Sequence, residues 1–244
     1  MAPQAWNFLE VPAATSTNDL AKEVPLWTAI RAEVQTSGRG QRGRTWHSQK
    51  GGFWASYRIP SITHPAPSIV IGAALVIELR KIWKLPQLRL KFPNDLYLGT
   101  QKLGGILIEK NSSTDMIVGI GLNVTNPLPP ATELRNPASS LARVMSRPPG
   151  LHQIQKDIAE ILEFAVFTPS IDLHQAWSQD PIEVRIETHG AEHTGIFLGV
   201  SQDGSPILKN ANGDLIEIPA YQVLHFAEQH SGEQTSQDPS DISI

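Results

Sequence analysis

The chain has 244 residues, 40% of them hydrophobic and 18% charged, so it can bury a real core and is not a disordered chain. Lys and Arg number 20 against 24 Asp and Glu, a net charge of -4 that argues against broad nucleic-acid binding by charge. Four of those acids (Glu228, Glu233, Asp238 and Asp241) fall in a tail without Lys or Arg, which leaves the body before Ala227 formally neutral. Cysteine is absent, which excludes disulfides, thiolate metal sites and a cysteine nucleophile; a cytoplasmic location is the natural expectation. The longest apolar run, Ile69 to Ile77, is too short to span a bilayer, and MAPQAWNFLEV does not have the pattern of a signal peptide.

In chain order, Trp6 to Val11 reads as a strand, and Thr15-Ser16-Thr17-Asn18 offers helix-capping side chains before a short helix. Thr28 to Val34 and Phe53 to Ile59 read as strands on either side of a polar, Gly- and Arg-rich stretch. Pro67 opens an amphipathic helix to about Lys84. Strands follow at Leu88 to Phe92, Asp95 to Leu98, Leu103 to Glu109 and Met116 to Asn123, then a long helix over Leu151 to Phe167. This order predicts an α+β fold with a mixed, mostly antiparallel sheet and packed helices. Five short strands between Val184 and Phe226, separated by Gly-rich turns, predict a small C-terminal barrel. The boundaries expected are 1–178, 179–227 and a disordered acidic tail at 228–244.

The strongest local signal is Gly38-Arg39-Gly40-Gln41-Arg42-Gly43-Arg44. Its glycines permit unusual dihedrals and close main-chain approach; its arginines concentrate charge for a carboxylate or phosphate. It is not a P-loop, because no Gly-Lys-Ser/Thr closes it, and no helix follows its G-x-G-x-x-G spacing, as a dinucleotide fold requires. A solvated loop or a nucleic-acid arm is the plain alternative; its shortness and its position between strands favour a pocket. Lys91-Phe92-Pro93-Asn94-Asp95 places an amide and a carboxylate at a strand end, or is a hairpin turn. Lys102-Leu103-Gly104-Gly105-Ile106-Leu107 and Gly119-Ile120-Gly121-Leu122-Asn123 put paired glycines inside apolar strands, which a close ligand or a bulge explains. The eight histidines show no metal-ligand spacing, and Trp6, Trp27, Trp54, Trp83 and Trp177 read as core or edge aromatics.

Taken together and in order, Ser16-Thr17-Asn18, Gln35, the Gly38 to Arg44 loop with Trp46, and the three later motifs resemble the bacterial biotin protein ligases (biotin–[acetyl-CoA-carboxylase] ligases). The resemblance covers roughly residues 6 to 226. It implies a class II synthetase-like catalytic domain and an SH3-like terminal barrel, which would form biotinyl-5′-AMP from biotin and ATP with Mg2+ and transfer biotin to a lysine of the biotin carboxyl carrier protein. It also implies site residues. Ser16, Thr17, Asn18, Gln35, Gly38, Arg39, Gly40, Gln41, Lys102, Gly104, Gly105 and Gly121 would bind biotin. Arg42, Arg44, Trp46, Lys91, Asn94, Asp95 and Asn123 would surround the nucleotide. Lys102, Arg39 and Asp95 would be catalytic, Asp95 by placing or deprotonating the acceptor lysine or by helping to hold Mg2+. The metal ligands are otherwise open.

Two departures stand out. Gln41 occupies a position where relatives often carry Arg, removing a cation near the adenylate, and Phe92 replaces a frequent Trp. Only fifteen residues precede Ser16, so the expectation is a ligase without a DNA-binding domain, a membrane partner or repressor function, as a monomer or homodimer. A lipoate ligase or octanoyl transferase is the nearest enzymatic alternative, and a nucleic-acid-binding module the alternative of another class.

Overall fold

The structure, a computed structural model, describes residues 5–130, 132, 137–168, 171–177 and 180–229. Chain contacts divide it into two units, at Ser178 and Gln179. The first contains β1 (Asn7–Ala14), α1 (Thr17–Ala21), β2 (Thr28–Gln35), β3 (Phe53–Pro60), α2 (Pro67–Ile82), β4 (Leu88–Lys91), β5 (Asp95–Leu98), β6 (Gln101–Lys110), β7 (Asp115–Leu122), α3 (Leu141–Val144) and α4 (Leu151–Phe167). Its seven strands form one sheet in the order β1-β2-β3-β7-β6-β5-β4. Only β1 and β2 run parallel, joined through α1; the other neighbours are antiparallel.

Strand alternation divides the sheet into two faces. Tyr57, Ile106 and Ile120 face α2 and α4 and are fully or almost fully buried, as are Ile71, Leu75 and Leu79 of α2 and Ile154, Ile158 and Leu162 of α4. Each such side chain contributes about 1.5–3 kcal/mol by leaving water. Gly72 permits the closest approach: a Cβ there would lie 2.6 Å from Leu90 Cδ1. Two polar side chains on this side are paired. Tyr57 donates to the Gln155 carbonyl at 3.1 Å, and Trp83 Nε1 donates to Asp157 Oδ2 at 2.9 Å. With the helices on one face, the other remains for α1 and the Gly- and Arg-rich loop.

Arg58 ties α1 to that second face. Its Nη1 donates to the carbonyls of Lys22 and Val24, and its Nε donates to Asp115 Oδ2 at 2.8 Å. Ser112 and Asn111 also donate to Asp115.

The second unit holds β8 (Ile182–Glu187), β9 (Glu192–Val200), β10 (Pro206–Lys209), β11 (Leu215–Glu217) and β12 (His225–Gln229). They form an antiparallel sheet in the order β11-β10-β9-β8-β12. Among the described residues β11 and β12 do not pair with each other, so the sheet is not a closed barrel. The last strand also begins later than the apolar pattern gives, because Ala220–Gln222 form a 3-10 turn that carries the chain past Val223. Glu228 and Gln229, the start of the expected tail, end β12; residues 230–244 lie outside the described residues. Among the described residues no helix is long and apolar enough to cross a membrane.

The Asp115 contacts give a pH signature. Hydrogen bonds from Ser112, Asn111 and Arg58 hold its carboxyl below the usual carboxylate range. A depressed folded-state value stabilises the fold above about pH 4, and that contribution disappears as pH falls through the lowered value. Asp115→Asn is therefore expected to be less stable than the native chain in urea at neutral pH, with the gap closing in acid. A gap independent of pH would contradict this.

Candidate active site

A row of residues crosses the open face of the sheet in register: Lys91, Asp95, Gly105, Gly121 and Trp54, on β4, β5, β6, β7 and β3. The two central glycines leave a trough between a carboxylate on one side and an indole on the other. Trp46 lies over it: a Cβ on Gly121 would be 2.6 Å from Trp46 Nε1, and one on Gly105 would be 3.7 Å from Trp46 Cζ3. Trp46 also meets Trp54 edge-on, at 6.4 Å between ring centroids. Its buried indole N–H has no hydrogen-bond acceptor in the structure. Lys102 Nζ sits 5.1 Å from the centre of the Trp46 ring and 2.7 Å from Asp95 Oδ1. Lys102, Asp95, Gly105, Gly121 and Trp46 thus form one cluster.

Gly104 stands apart from that cluster. A side chain there would strike the Gly121 carbonyl at 2.4 Å and Leu122 Cδ2 at 2.5 Å, so its lack of a side chain serves strand packing. The β5–β6 ladder also shifts register here, with Leu96 opposite Gly104 but Tyr97 opposite Lys102. A bulge of this kind re-aims a side chain, and the residue it re-aims is Lys102.

The next row along the sheet is Leu107, Gly119 and Ser56. Asn18 fills the space above Gly119, with Oδ1 2.3 Å from the position a Cβ would take. Both ends of its amide are fixed: Ser56 Oγ donates to Oδ1 at 2.5 Å, and Nδ2 donates to Glu109 Oε1 at 3.1 Å. Thr17 lies against Ser56 at 2.7 Å and gives both its backbone N–H and its hydroxyl to Gln35 Oε1. Gln35 Nε2 donates to Ser48 Oγ, which donates to the Trp46 carbonyl. Ser16, Thr17 and Asn18 are all buried, and the network runs from α1 to the base of the Arg-Gly loop.

That loop is a small hairpin. Trp46 N–H bonds the Gly38 carbonyl at 2.8 Å, Arg39 bridges Thr45, and Gly40 N–H bonds the Arg44 carbonyl at 2.7 Å. A 3-10 turn, Gln41–Gly43, forms its tip, with Arg42 at φ 57° and Gly43 at φ 73°. Gly38 has no room for a side chain, since a Cβ would be 2.5 Å from both Ser48 Oγ and the Trp46 carbonyl. Arg42 and Arg44 are exposed and Gln41 half-buried on this tip.

Arg39 turns to two acids. Its Nη1 and Nη2 donate to the two carboxylate oxygens of Asp19 at 2.8 and 2.7 Å, and Nη2 lies 3.4 Å from Glu109 Oε1. Lys22 completes the group, 2.9 Å from Glu109 and 3.3 Å from Asp19. Arg39 and Lys102 therefore have separate carboxylate partners, Asp19 with Glu109 for one and Asp95 for the other. Asp19, Glu109, Ser48, Ser56 and Lys22 are absent from the sequence expectation. Asp19 and Lys22 adjoin the Ser-Thr-Asn motif, and Glu109 ends the Gly-Gly strand, but nothing marks them as meeting.

The remaining expected residues are spread along the same face. Lys91 is buried, with Nζ 3.4 Å from the Tyr97 hydroxyl and 4.9 Å from the centre of its ring. Asn94 is a turn anchor: Nδ2 donates to the Ile106 carbonyl at 2.8 Å, and the Ile106 N–H returns to its carbonyl. Asn123 is buried and accepts from Asn126 Nδ2 at 3.1 Å. Among the described residues no cluster of three ligating side chains suits a metal.

Residues 12–123 match the Biotin/lipoate A/B protein ligase family. The bifunctional ligase/repressor BirA of Escherichia coli is 37% identical over 128 residues, 47% of this chain and 39% of that protein. The chain thus spans well under half the length of that relative. A biotin–[acetyl-CoA-carboxylase] ligase of Paracoccus denitrificans is 28% identical over 218 residues, 80% of this chain and 89% of that one. The structure of a biotin protein ligase from Aquifex aeolicus, in complex with biotin and ATP, superposes with a TM-score of 0.79 at 26% identity, covering 91% of this chain and 99% of that one.

The two glycines separate by experiment. Gly104→Ala, which meets backbone, is expected to lower thermal stability clearly. Gly121→Ala meets a side-chain ring and should chiefly displace Trp46, read as a change in tryptophan emission at little cost in stability. Equal loss of stability in both variants would contradict the assignment.

Proposed function

We propose, from the match of residues 12–123 to the Biotin/lipoate A/B protein ligase family and the likeness of most of the chain to biotin protein ligases, that it is a biotin protein ligase: it joins biotin to ATP as biotinyl-5′-AMP and transfers the biotinyl group to a lysine of a biotin carboxyl carrier protein. The observation that carries this reading is Lys102, re-aimed by a bulge, held beside Asp95 at the edge of a glycine trough under the Arg-Gly loop. In this reading the first unit is the catalytic domain and the five-stranded second unit the small SH3-like domain. The acceptor class follows the name of the Paracoccus relative.

The chemistry needs these residues for a physical reason. A carboxylate resists attack by an amine, because it is negatively charged and its leaving group is oxide. In the first step a biotin carboxylate oxygen bonds to the α-phosphorus of ATP, and pyrophosphate leaves. Two anions must meet, so positive charge must be in place before the reaction; Lys102 and Arg39 are suited to supply it. Asp95 fits a Mg2+ carried in on the triphosphate, since that ion takes one or two carboxylates and keeps its waters; when bound it would neutralise phosphate charge. The ring of Trp46 lies over Gly105 and Gly121, so a ligand seated on that trough requires the ring to swing away. Asn18 and Thr17, with fixed orientations, offer hydrogen-bonding groups to a neutral polar ring.

In the second step the acceptor lysine nitrogen bonds to the acyl carbon, AMP leaves and the nitrogen loses a proton. A solvent-exposed lysine titrates near ~10.4, so at pH 7 well under about one part in a thousand is neutral. In this reading Asp95, paired with Lys102 in the absence of substrate, positions this amine or takes its proton when Lys102 turns to the phosphate.

Lys102→Ala, folded as judged by circular dichroism, is expected to lose adenylate formation by roughly 100- to 1,000-fold, the scale of one preorganised charge donor. Near-normal pyrophosphate release would overturn the role. Asp95→Asn given synthetic biotinyl-AMP should transfer poorly to a purified carrier domain, read by mass spectrometry; full transfer would exclude it as the base.

A further inference from the structure

Arg39 carries the charge that the adenylation step calls for, yet both its terminal nitrogens are engaged by carboxylates. The group formed with Asp19, Glu109 and Lys22 holds two positive and two negative charges within 3.4 Å contacts, so it is formally neutral. An anion approaching Arg39 gains little until a carboxylate gives way. Both acids share Lys22, but Glu109 is also bound into the floor by Asn18 and is mostly buried, whereas Asp19 is roughly half exposed and lies on the short helix α1. Asp19 is therefore the partner free to be released.

We propose that Asp19 is a positioning residue that latches the Arg-Gly loop: it holds Arg39 by a two-pronged ion pair and competes for it with the anionic groups of the substrates. This inference rests on the ligase reading for its kinetic consequence, but its structural consequence does not. The exchange is a change of partner, with no bond made or broken. The hydrogen bond from Arg39 holds the Asp19 carboxyl below the usual range, and burial alone would raise Glu109 but hydrogen bonds from Lys22 and Asn18 outweigh it, so both acids are ionised at neutral pH. Because the pair is partly solvated, its strength is that of an exposed ion pair, enough to set a threshold without preventing release.

The test uses the full chain with Asp19→Asn and Asp19→Glu. Without any added ligand, trypsin should cut at Arg39, Arg42 and Arg44 several-fold faster in Asp19→Asn, and Asp19→Glu should restore much of the protection. In biotin-dependent ATP–pyrophosphate exchange, Asp19→Asn should lower the KM for biotin about two- to five-fold with kcat changed less. The same substitution in an Arg39→Gln background should leave KM unmoved. Unchanged cleavage, a raised KM, or an equal KM change in both backgrounds would overturn the latch. A wild-type chain without biotin-dependent exchange would sink the ligase reading instead, and the cleavage rates would still decide the latch.

Discussion

Two cations on the open face of the sheet, Lys102 and Arg39, each face a carboxylate: Asp95 for one, Asp19 with Glu109 for the other. This constraint shapes the rest of the site. A cleft lined with unopposed lysine and arginine would repel itself and destabilise the fold; one lined with ion pairs folds readily but offers less net charge. The chain is neutral overall up to its tail, and the site repeats that balance locally. Under the proposed function, substrate anions would take the place of the side-chain carboxylates. Partly solvated pairs suit such exchange, because each is weak enough to be broken by a ligand that brings more than one charge.

The sheet supplies the geometry for this exchange. Placing α2 and α4 on one face concentrates the apolar burial there and leaves the opposite face to polar rows. The missing side chains at Gly105, Gly119 and Gly121 open room in two of those rows, which Trp46 and Asn18 occupy. The bulge between Leu96 and Tyr97 aims Lys102 at Asp95. The polar chain from Thr17 through Gln35 and Ser48 to the Trp46 carbonyl links the floor to the base of the loop.

The sequence made much of this legible, and the parts it withheld have physical causes. Alternation and turn chemistry locate the strands from Thr28 to Leu122 closely, and Pro67 marks the start of α2, because these signals are local. The Gly-Gly and Gly-x-Gly pairs mark backbone positions with special demands, but composition does not separate packing, as at Gly104, from a trough, as at Gly105 and Gly121. That distinction depends on which strand lies alongside. α3 is too short for a periodic signal, and the 3-10 turn before β12 moved that strand's start. The pairing of Arg39 with Asp19 and Glu109 joins residues 20 and 70 positions apart, and no local pattern encodes it.

The central claim is that the cations change partner when substrate binds. It is tested most directly by a crystal structure of the chain with a non-hydrolysable analogue of biotinyl-AMP. The account predicts Lys102 Nζ within hydrogen-bonding distance of the acyl-phosphate mimic and the Trp46 ring displaced from Gly105 and Gly121. An analogue bound with Lys102 still on Asp95 and Trp46 still covering the trough would contradict it.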